Sequence, residues 1–347
     1  MSPAESHPST AGTRRPTLNA VAARAGVGRG TVSRVINGSP KVSARSRAAV
    51  ERAIAELGYV PNRAARSLAT RRTDSVALVV PEAETRLFTE PYFSGIIPGV
   101  SAGLADSGLQ MLLVLPRDEK EYTRLADYLS AQRVDGVLLM SVRSEDTLPD
   151  RLRELAVPTV LAGRRSREEP LRHVRCDNRG GARDAVRHLL ARGRATVGTI
   201  TGPLHMDAAR DRLDGYREAL REAGADAGEE LVAQGDFTEA GGRAAMRELL
   251  RRHPALDAVF AASDVMASGA VLELRAAGRR VPEDVAVIGF DDSIVARHID
   301  PPLTSVRQPL QEMGRAMARL LLDEIAGPDS GRHEVVLPTE LIVRASA

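Results

Sequence analysis

Between Leu18 and Gly58 the apolar positions recur at helical spacing in three short blocks. Leu18 to Ala25 predicts a first helix, with Thr17 placed to cap its free N–H groups. Gly26 interrupts it, and a second short helix is expected from about Arg29 to Asn37. The third begins near Ser43 and carries Val50, Ile54 and Leu57 to a stop at Gly58. Pro61 resets the backbone, and Asn62 to Thr70 is a helix-competent linker ending in Arg71 and Arg72. From Ser75 the texture changes. The compact apolar runs SVALVV, LQMLLVL, DGVLLM and PTVLAG alternate with amphipathic segments, and HVRC, TVGTI, ELVAQG, DAVF and DVAVIGF resume the alternation. Near-continuous apolar strands between helices predict parallel sheets covered on both faces. Two such series predict an α/β body of two doubly wound lobes behind a small all-α domain.

Charge divides along the same line. Residues 1–73 hold one lysine and twelve arginines against three acidic residues, a net +10, while the rest of the chain sums to −8. A basic head on an acidic body points to a polyanion as the head's partner. The single cysteine, Cys176, leaves no intrachain disulfide and no cysteine-rich metal site, which fits a reducing cytosol. The first sixteen residues are polar, read as a disordered tail rather than an export signal, and place Arg14 and Arg15 within reach of phosphate. No apolar stretch approaches the roughly 20 residues of a membrane span.

The segment TLNAVAARAGVGRGTVSRVING carries the clearest chemistry. Ala22 and Ala23 are small enough to let a second helix cross closely, and Gly26 permits the positive φ of a tight turn. Val27, Val32 and Val35 form the expected buried face, leaving Arg29, Gly30, Thr31, Ser33 and Arg34 outside. In a helix-turn-helix this second helix enters the major groove, where an arginine can bond bidentately to guanine.

TVSRVING followed by VSARSRAAVERAIAELGYVPNRAARSLA closely resembles the DNA-binding head of the lactose/galactose repressor family. GPLHMDAARDRLDGYREAL, FAASDVMASGAVLELRAAGRRVPEDVAVIGFDD and PPLTSVRQPLQEMGRAMARLLL resemble that family's effector domain, in its order. The resemblance spans residues 17–343 and implies a helix-turn-helix domain at 17–61 and a hinge at 62–73. A periplasmic-binding-protein-like body at 74–347 follows, its first lobe about 74–173 with 310–337 and its second about 174–309 with 338–347. It also implies a regulator of transcription, not an enzyme, working in the cytoplasm on the nucleoid. Its partners would be a palindromic operator, a small effector and a second copy of the chain. After LPTELIVRASA no leucine heptads follow, so a dimer is expected rather than a tetramer.

Residue by residue, the resemblance assigns Thr17, Leu18, Thr31, Ser33 and Asn37 to the phosphate backbone. Phosphate contacts set register without specifying sequence. Arg29, Gly30 and Arg34 occupy base-reading positions, and Gly30 brings no side chain to the task. Gly28 stands where a capping hydroxyl is usual. Asn62, Arg63 and Leu68 fall in the hinge, with Leu68 as a minor-groove wedge. For the effector, Arg212 and Asp291 match the polar anchors, a natural pair for sugar hydroxyls, and Phe237 an aromatic that stacks on the ligand. Ser263 stands where asparagine is common, Asp177 is a lining residue, and Phe88 and Phe93 close the pocket from the first lobe. The GPLHMDAARDR stretch is similar to regulators of disaccharide use, cellobiose sensors among them. A purine corepressor, an activator role, or a sugar receptor without DNA function are the rival readings. No phosphate loop, dinucleotide fingerprint, nucleophile elbow or H-x-x-x-H pair occurs, so no catalysis, cofactor or metal is expected.

Overall fold

The computed structural model describes residues 16–36, 38–60, 72–82, 87, 90–131, 133–225, 228–327 and 333–347. The expectations for the N-terminal tail, Asn37, Asn62, Arg63, Leu68 and Phe88 lie outside these residues. The chain divides into two compact units, Met1–Thr73 and Asp74–Ala347.

In the first unit, α1 (Leu18–Ala25), α2 (Arg29–Ile36) and α3 (Ala44–Leu57) form a three-helix domain. Thr17 Oγ1 accepts the Ala20 N–H at 3.3 Å and Ser43 Oγ that of Ser46 at 3.2 Å, so both helices start where a hydroxyl replaces the missing carbonyl partner. Gly26 ends α1 in the left-handed region (φ 64°), a geometry that costs a residue with a Cβ, and turns the chain into α2. Val21, Val32, Val35, Val50, Ala53 and Tyr59 make the core, with Val27 packed at its edge. Ala22 is buried at the crossing, but Ala23 is exposed, so the close approach depends on Ala22 and Val21 rather than on an alanine pair.

The second unit holds two six-stranded sheets. The first has the order β11-β5-β4-β3-β1-β2, built from β1 (Ser75–Val79), β2 (Gln110–Val114), β3 (Gly136–Leu139), β4 (Thr159–Ala162), β5 (Arg172–Cys176) and β11 (Glu334–Leu337), all parallel. Helices α4 (Pro91–Leu104) and α12 (Leu310–Ala326) cover one face, and α5 (Glu119–Ser130) with α6 (Leu148–Glu154) the other. The second sheet has the order β12-β10-β9-β8-β6-β7. Its strands are β6 (Val197–Thr201), β7 (Val232–Gln234), β8 (Ala258–Ala261), β9 (Ala286–Asp291), β10 (Thr304–Arg307) and an antiparallel β12 (Glu340–Ile342). Its faces are covered by α7 (Asn178–Ala191) with α8 (Asp207–Glu222), and by α9 (Glu239–Arg252) with α10 (Asp264–Ala276). Among the described residues no helix is long and apolar enough to cross a membrane.

HVRC, read with the second series of strands, is β5 and pairs with β4 in the first sheet. The first crossing between lobes therefore falls after Cys176, not at 173. A buried strand carries no mark of the sheet it joins, and only the pairing partner decides it. The chain crosses again after β10 and after β11.

Candidate DNA-reading helix and effector cleft

On the head, the buried side of α2 is fixed by Val32 and Val35, which turns Arg29, Gly30 and Arg34 outward to solvent, with Thr31 and Ser33 half-buried beside them. A rigid core behind an exposed basic face is what a groove-reading helix requires. Thr17 is already engaged as the α1 cap, and its hydroxyl hydrogen remains available to a phosphate oxygen.

In the body, a cavity partly open to solvent lies in the crevice outside the carboxyl ends of the strands, the place where folds of this kind bind small molecules. Each lobe contributes strand ends. Ser141 follows β3, Arg164 follows β4, Cys176 closes β5, Ser263 follows β8, Asp291 closes β9 and Gln308 follows β10.

Arg212 and Asp291 form the buried centre. Arg212 is 5% exposed and Asp291 9%, so their charges are held by the protein rather than by water. The guanidinium lies 3.8 Å from the centroid of the Phe290 ring, donates to Asn178 Oδ1 at 2.9 Å and to the Ala262 carbonyl at 2.5 Å, and stands 4.0 Å from Asp291 Oδ1. Gln308 Nε2 donates to that same Asp291 oxygen at 2.6 Å. Asp291 takes a φ of 116°, which a side-chain-bearing residue rarely adopts, and is held there by its neighbours. Asp292 next to it meets Arg297, Arg307 and Arg344, while Asp264 accepts the Ser293 N–H and the Ser305 hydroxyl. Burial pushes the Asp291 carboxyl well above the usual carboxylate range, the Arg212 cation pulling it back and the Asp264 carboxylate adding to the rise. Burial likewise pushes Asp264 up to about 6. Cys176 is raised to about 12 by burial, so its thiol serves as an apolar wall beside Met313 and not as a nucleophile.

Phe237 lines the cavity at φ 67° with its ring seated over Gly202, where a Cβ would come within 2.1 Å of the ring. Phe93 also lines it, anchored in the first-lobe core and edge-on to Tyr92 at 5.5 Å. Ser263 lines it too, although its oxygen caps α10 by accepting the Met266 N–H at 3.2 Å. Asp177 does not. Its carboxylate caps α7 through the Gly180 N–H at 2.9 Å, and its neighbours Cys176 and Asn178 face the cavity instead. A short acidic residue after a strand is as good a helix cap as a ligand group, and here the cap wins.

Tyr92, Asn178, Arg164 and Gln308 also line the cavity, unmarked in sequence as ligand groups. Gln308 stands inside the SVRQPL segment and Asn178 directly after Asp177, so both were within signalled stretches. Arg164 closes one rim: its guanidinium, from the first lobe, meets Asp207 at 2.5 Å and Asp211 at 3.1 Å on α8 of the second. Arg210 adds a bond back to the Arg165 carbonyl, and the Ser144 N–H one to the His205 carbonyl. Burial and the adjacent Asp207 raise the Asp211 carboxyl, opposed by Arg164 and Arg175.

Residues 17–62 match the bacterial regulatory proteins of the lacI family, and residues 186–347 a periplasmic binding protein-like domain. The HTH-type transcriptional regulator CelR of Thermobifida fusca is 56% identical over 335 residues, covering 96% of this chain and 98% of the relative. The solved transcriptional regulator CelR–cellobiose complex is 54% identical, with a TM-score of 0.77 over 96% of this chain and 100% of the other. The Lac repressor dimer bound to operator and the anti-inducer ONPF is 28% identical, with a TM-score of 0.83 over 96% of this chain and 99% of that one. These relatives are transcriptional regulators, not enzymes, and their similarity runs through both the reading head and the two-lobed body. The chain belongs to the lacI family of bacterial regulatory proteins.

Proposed function

We propose that this protein is a homodimeric repressor that binds a palindromic operator in the cytoplasm and is released from it by a neutral disaccharide of the cellobiose type. The observation that carries the ligand class is the charge balance of the cleft. Arg164 meets Asp207 at 2.5 Å, Arg175 meets Glu334 at 2.5 Å and Arg212 stands 4.0 Å from Asp291, so each of these cations already has a carboxyl partner within the protein and none is left over for an ionic ligand. Around these groups Tyr92, Phe93, Phe237, Met206 and Met313 supply apolar surface. Sugar rings need that combination: flat C–H faces against apolar walls, and hydroxyls bonded by paired donors and acceptors. The cellobiose complex of the similar CelR supports the same class.

The dimer is supported by β2. This edge strand of the first sheet exposes Leu112 and Leu113 at 40% and 42%, an apolar edge of the kind that chains cover by pairing. A two-fold dimer presents its two reading helices to symmetric half-sites.

Titration of a labelled palindrome, selected by the protein from a random pool, tests the proposal by fluorescence anisotropy. Two chains are expected per palindrome. Saturating cellobiose is expected to weaken binding by about 5–150-fold, the range of ordinary allosteric couplings of about 1–3 kcal/mol. Tighter binding with cellobiose would make the sugar a corepressor, and a response only to purines would remove it as effector.

Within this reading Arg34 and Arg29 carry the base contacts, because Gly30 has no side chain to offer. Arg34→Ala is expected to lose about 1–3 kcal/mol of discrimination at one base pair per half-site. Competition with single-base operator variants measures it. An equal loss against every variant would assign Arg34 to phosphate instead.

A further inference from the structure

We propose that Arg344, acting through Asp292, positions the ligand-binding carboxyl of Asp291, so that the segment following β12 sets the affinity of the cleft from outside the cavity. This rests on reading the cleft as a sugar site. Asp291 and Asp292 both take positive φ, 116° and 52°, where β9 ends. Two successive residues with a Cβ relax out of that region unless their surroundings hold them. Arg212 and Gln308 meet the Asp291 side chain, which leaves the backbone behind it to be fixed by other groups.

The next two residues supply the hold. The Asp292 N–H donates to Ser305 Oγ at 3.0 Å and the Ser293 N–H to Asp264 Oδ2 at 2.7 Å. The buried Asp292 carboxylate meets three arginines, of unequal weight. Arg297, on α11 (Ile294–His298), is 3.6 Å away with its side chain 56% exposed. Arg307 Nε donates at 2.7 Å, but that side chain is 44% exposed and shares its charge with Glu340. Exposed pairs hold little, because water screens them and the long side chains lose freedom in making them. Arg344 is the sheltered partner, 18% exposed, donating to Asp292 Oδ1 at 2.5 Å and to the Leu303 carbonyl at 2.8 Å. Its own backbone is pinned to Thr304: the Arg344 N–H donates to Thr304 Oγ1 at 2.9 Å, and the Thr304 hydroxyl to the Arg344 carbonyl at 3.2 Å. Two residues on, the buried Ser346 accepts the Thr304 N–H at 2.8 Å and donates to the Val287 carbonyl at 2.6 Å. Val287 lies on β9 and Thr304 on β10, so this strap ties together the two strands that lead to Asp291 and Gln308. Without the Arg344 cation the Asp292 carboxylate loses its sheltered anchor. The peptide between the two aspartates is then free to turn toward negative φ, and the Asp291 carboxyl swings away from Arg212 and Gln308.

Calorimetric titration of the full chain with cellobiose tests it. Arg344→Ala is expected to weaken binding by about tenfold, at full stoichiometry and with operator affinity in the absence of sugar unchanged. Asp292→Asn, which tolerates the same positive φ, reads the same link should the Arg344→Ala chain fold poorly, and its expected loss is equal. Arg344→Lys restores the charge and is expected to recover part of the affinity, whereas Arg297→Ala should change it by less than about twofold. In an Asp291→Ala background, Arg344→Ala is expected to add less than about twofold, because a residue that acts through Asp291 has nothing left to act on. A lower melting temperature with unchanged cellobiose affinity in Arg344→Ala and Asp292→Asn would make the strap a support of the sheet alone and overturns the proposal. So does a full tenfold loss that persists in the Asp291→Ala background, or an Arg297→Ala loss equal to that of Arg344→Ala. A wild type that binds no cellobiose overturns the sugar reading and the role of Arg344 with it.

Discussion

Asp291→Ala is expected to leave the protein bound to its operator at sugar concentrations that release the wild type. The carboxyl group sits at the centre of the cleft, shared by Arg212 and the Gln308 amide, and its removal strips the effector of two oxygen partners. Each buried hydrogen-bonding group left without its partner costs about 1–3 kcal/mol, so losing two raises the effector dissociation constant by roughly 30-fold or more. The substitution also leaves the Arg212 guanidinium buried with only the Asn178 amide oxygen and the Ala262 carbonyl to offset its charge. The cation will therefore drift from the position in which Phe290 and Asp291 hold it. Operator affinity without sugar is expected within threefold of wild type, because Asp291 belongs to the unit Asp74–Ala347 and the reading helix to the other. Anisotropy titrations against cellobiose at fixed operator, with thermal melting as the folding control, measure both effects. An unchanged dose response would remove Asp291 from the effector site. Asp291→Asn, which keeps the shape and loses the charge, should fall between the two.

Local signals survived folding and distributed ones did not. Thr17, Ser43, Gly26 and Gly58 mark helix ends because capping is decided within four residues, and all four sit at the ends expected of them. The apolar runs became strands for the same reason, since burial on both faces leaves its trace in consecutive residues, although LQMLLVL ended as the exposed edge strand β2. Sheet membership left no such trace, and HVRC changed lobes. Within the cleft, Arg212, Phe237, Ser263, Asp291 and Phe93 come together, the first four at positions matched through the family resemblance. Asn178, Gln308 and Arg164 are ordinary polar residues in sequence, and gain meaning only when three chain crossings bring their strand ends to one crevice. Asp177 shows the reverse error. Its chemistry suited a ligand, and its position after a strand and before a helix suited a cap better.

Gly314→Ala is expected to destabilise the body and to loosen the effector site together. Helices α4 and α12 touch backbone to backbone. A Cβ on Gly314 would come within 2.3 Å of the Ile96 carbonyl oxygen, and one on Gly99 within 2.2 Å of the Gln311 carbonyl oxygen. Neither obstacle is the end of a flexible side chain, so a methyl group must push whole helices apart. Overpacking of this kind costs about 1–3 kcal/mol, at the upper end where backbone is displaced, and the doubly substituted Gly99→Ala, Gly314→Ala chain should cost more than either alone. The same displacement reaches the cleft, because α4 begins with Tyr92 and Phe93 while Gln308 and Met313 flank the start of α12. Separation of the helices moves four lining residues at once, and cellobiose affinity is expected to fall about tenfold, the equivalent of about 1.4 kcal/mol. Thermal melting and calorimetric titration of the same preparations measure the two losses. A full drop in melting temperature with unchanged sugar affinity would mean that the helix pair supports the lobe without positioning its ligand groups. Unchanged melting would mean that the two helices are not packed as closely as the glycines allow.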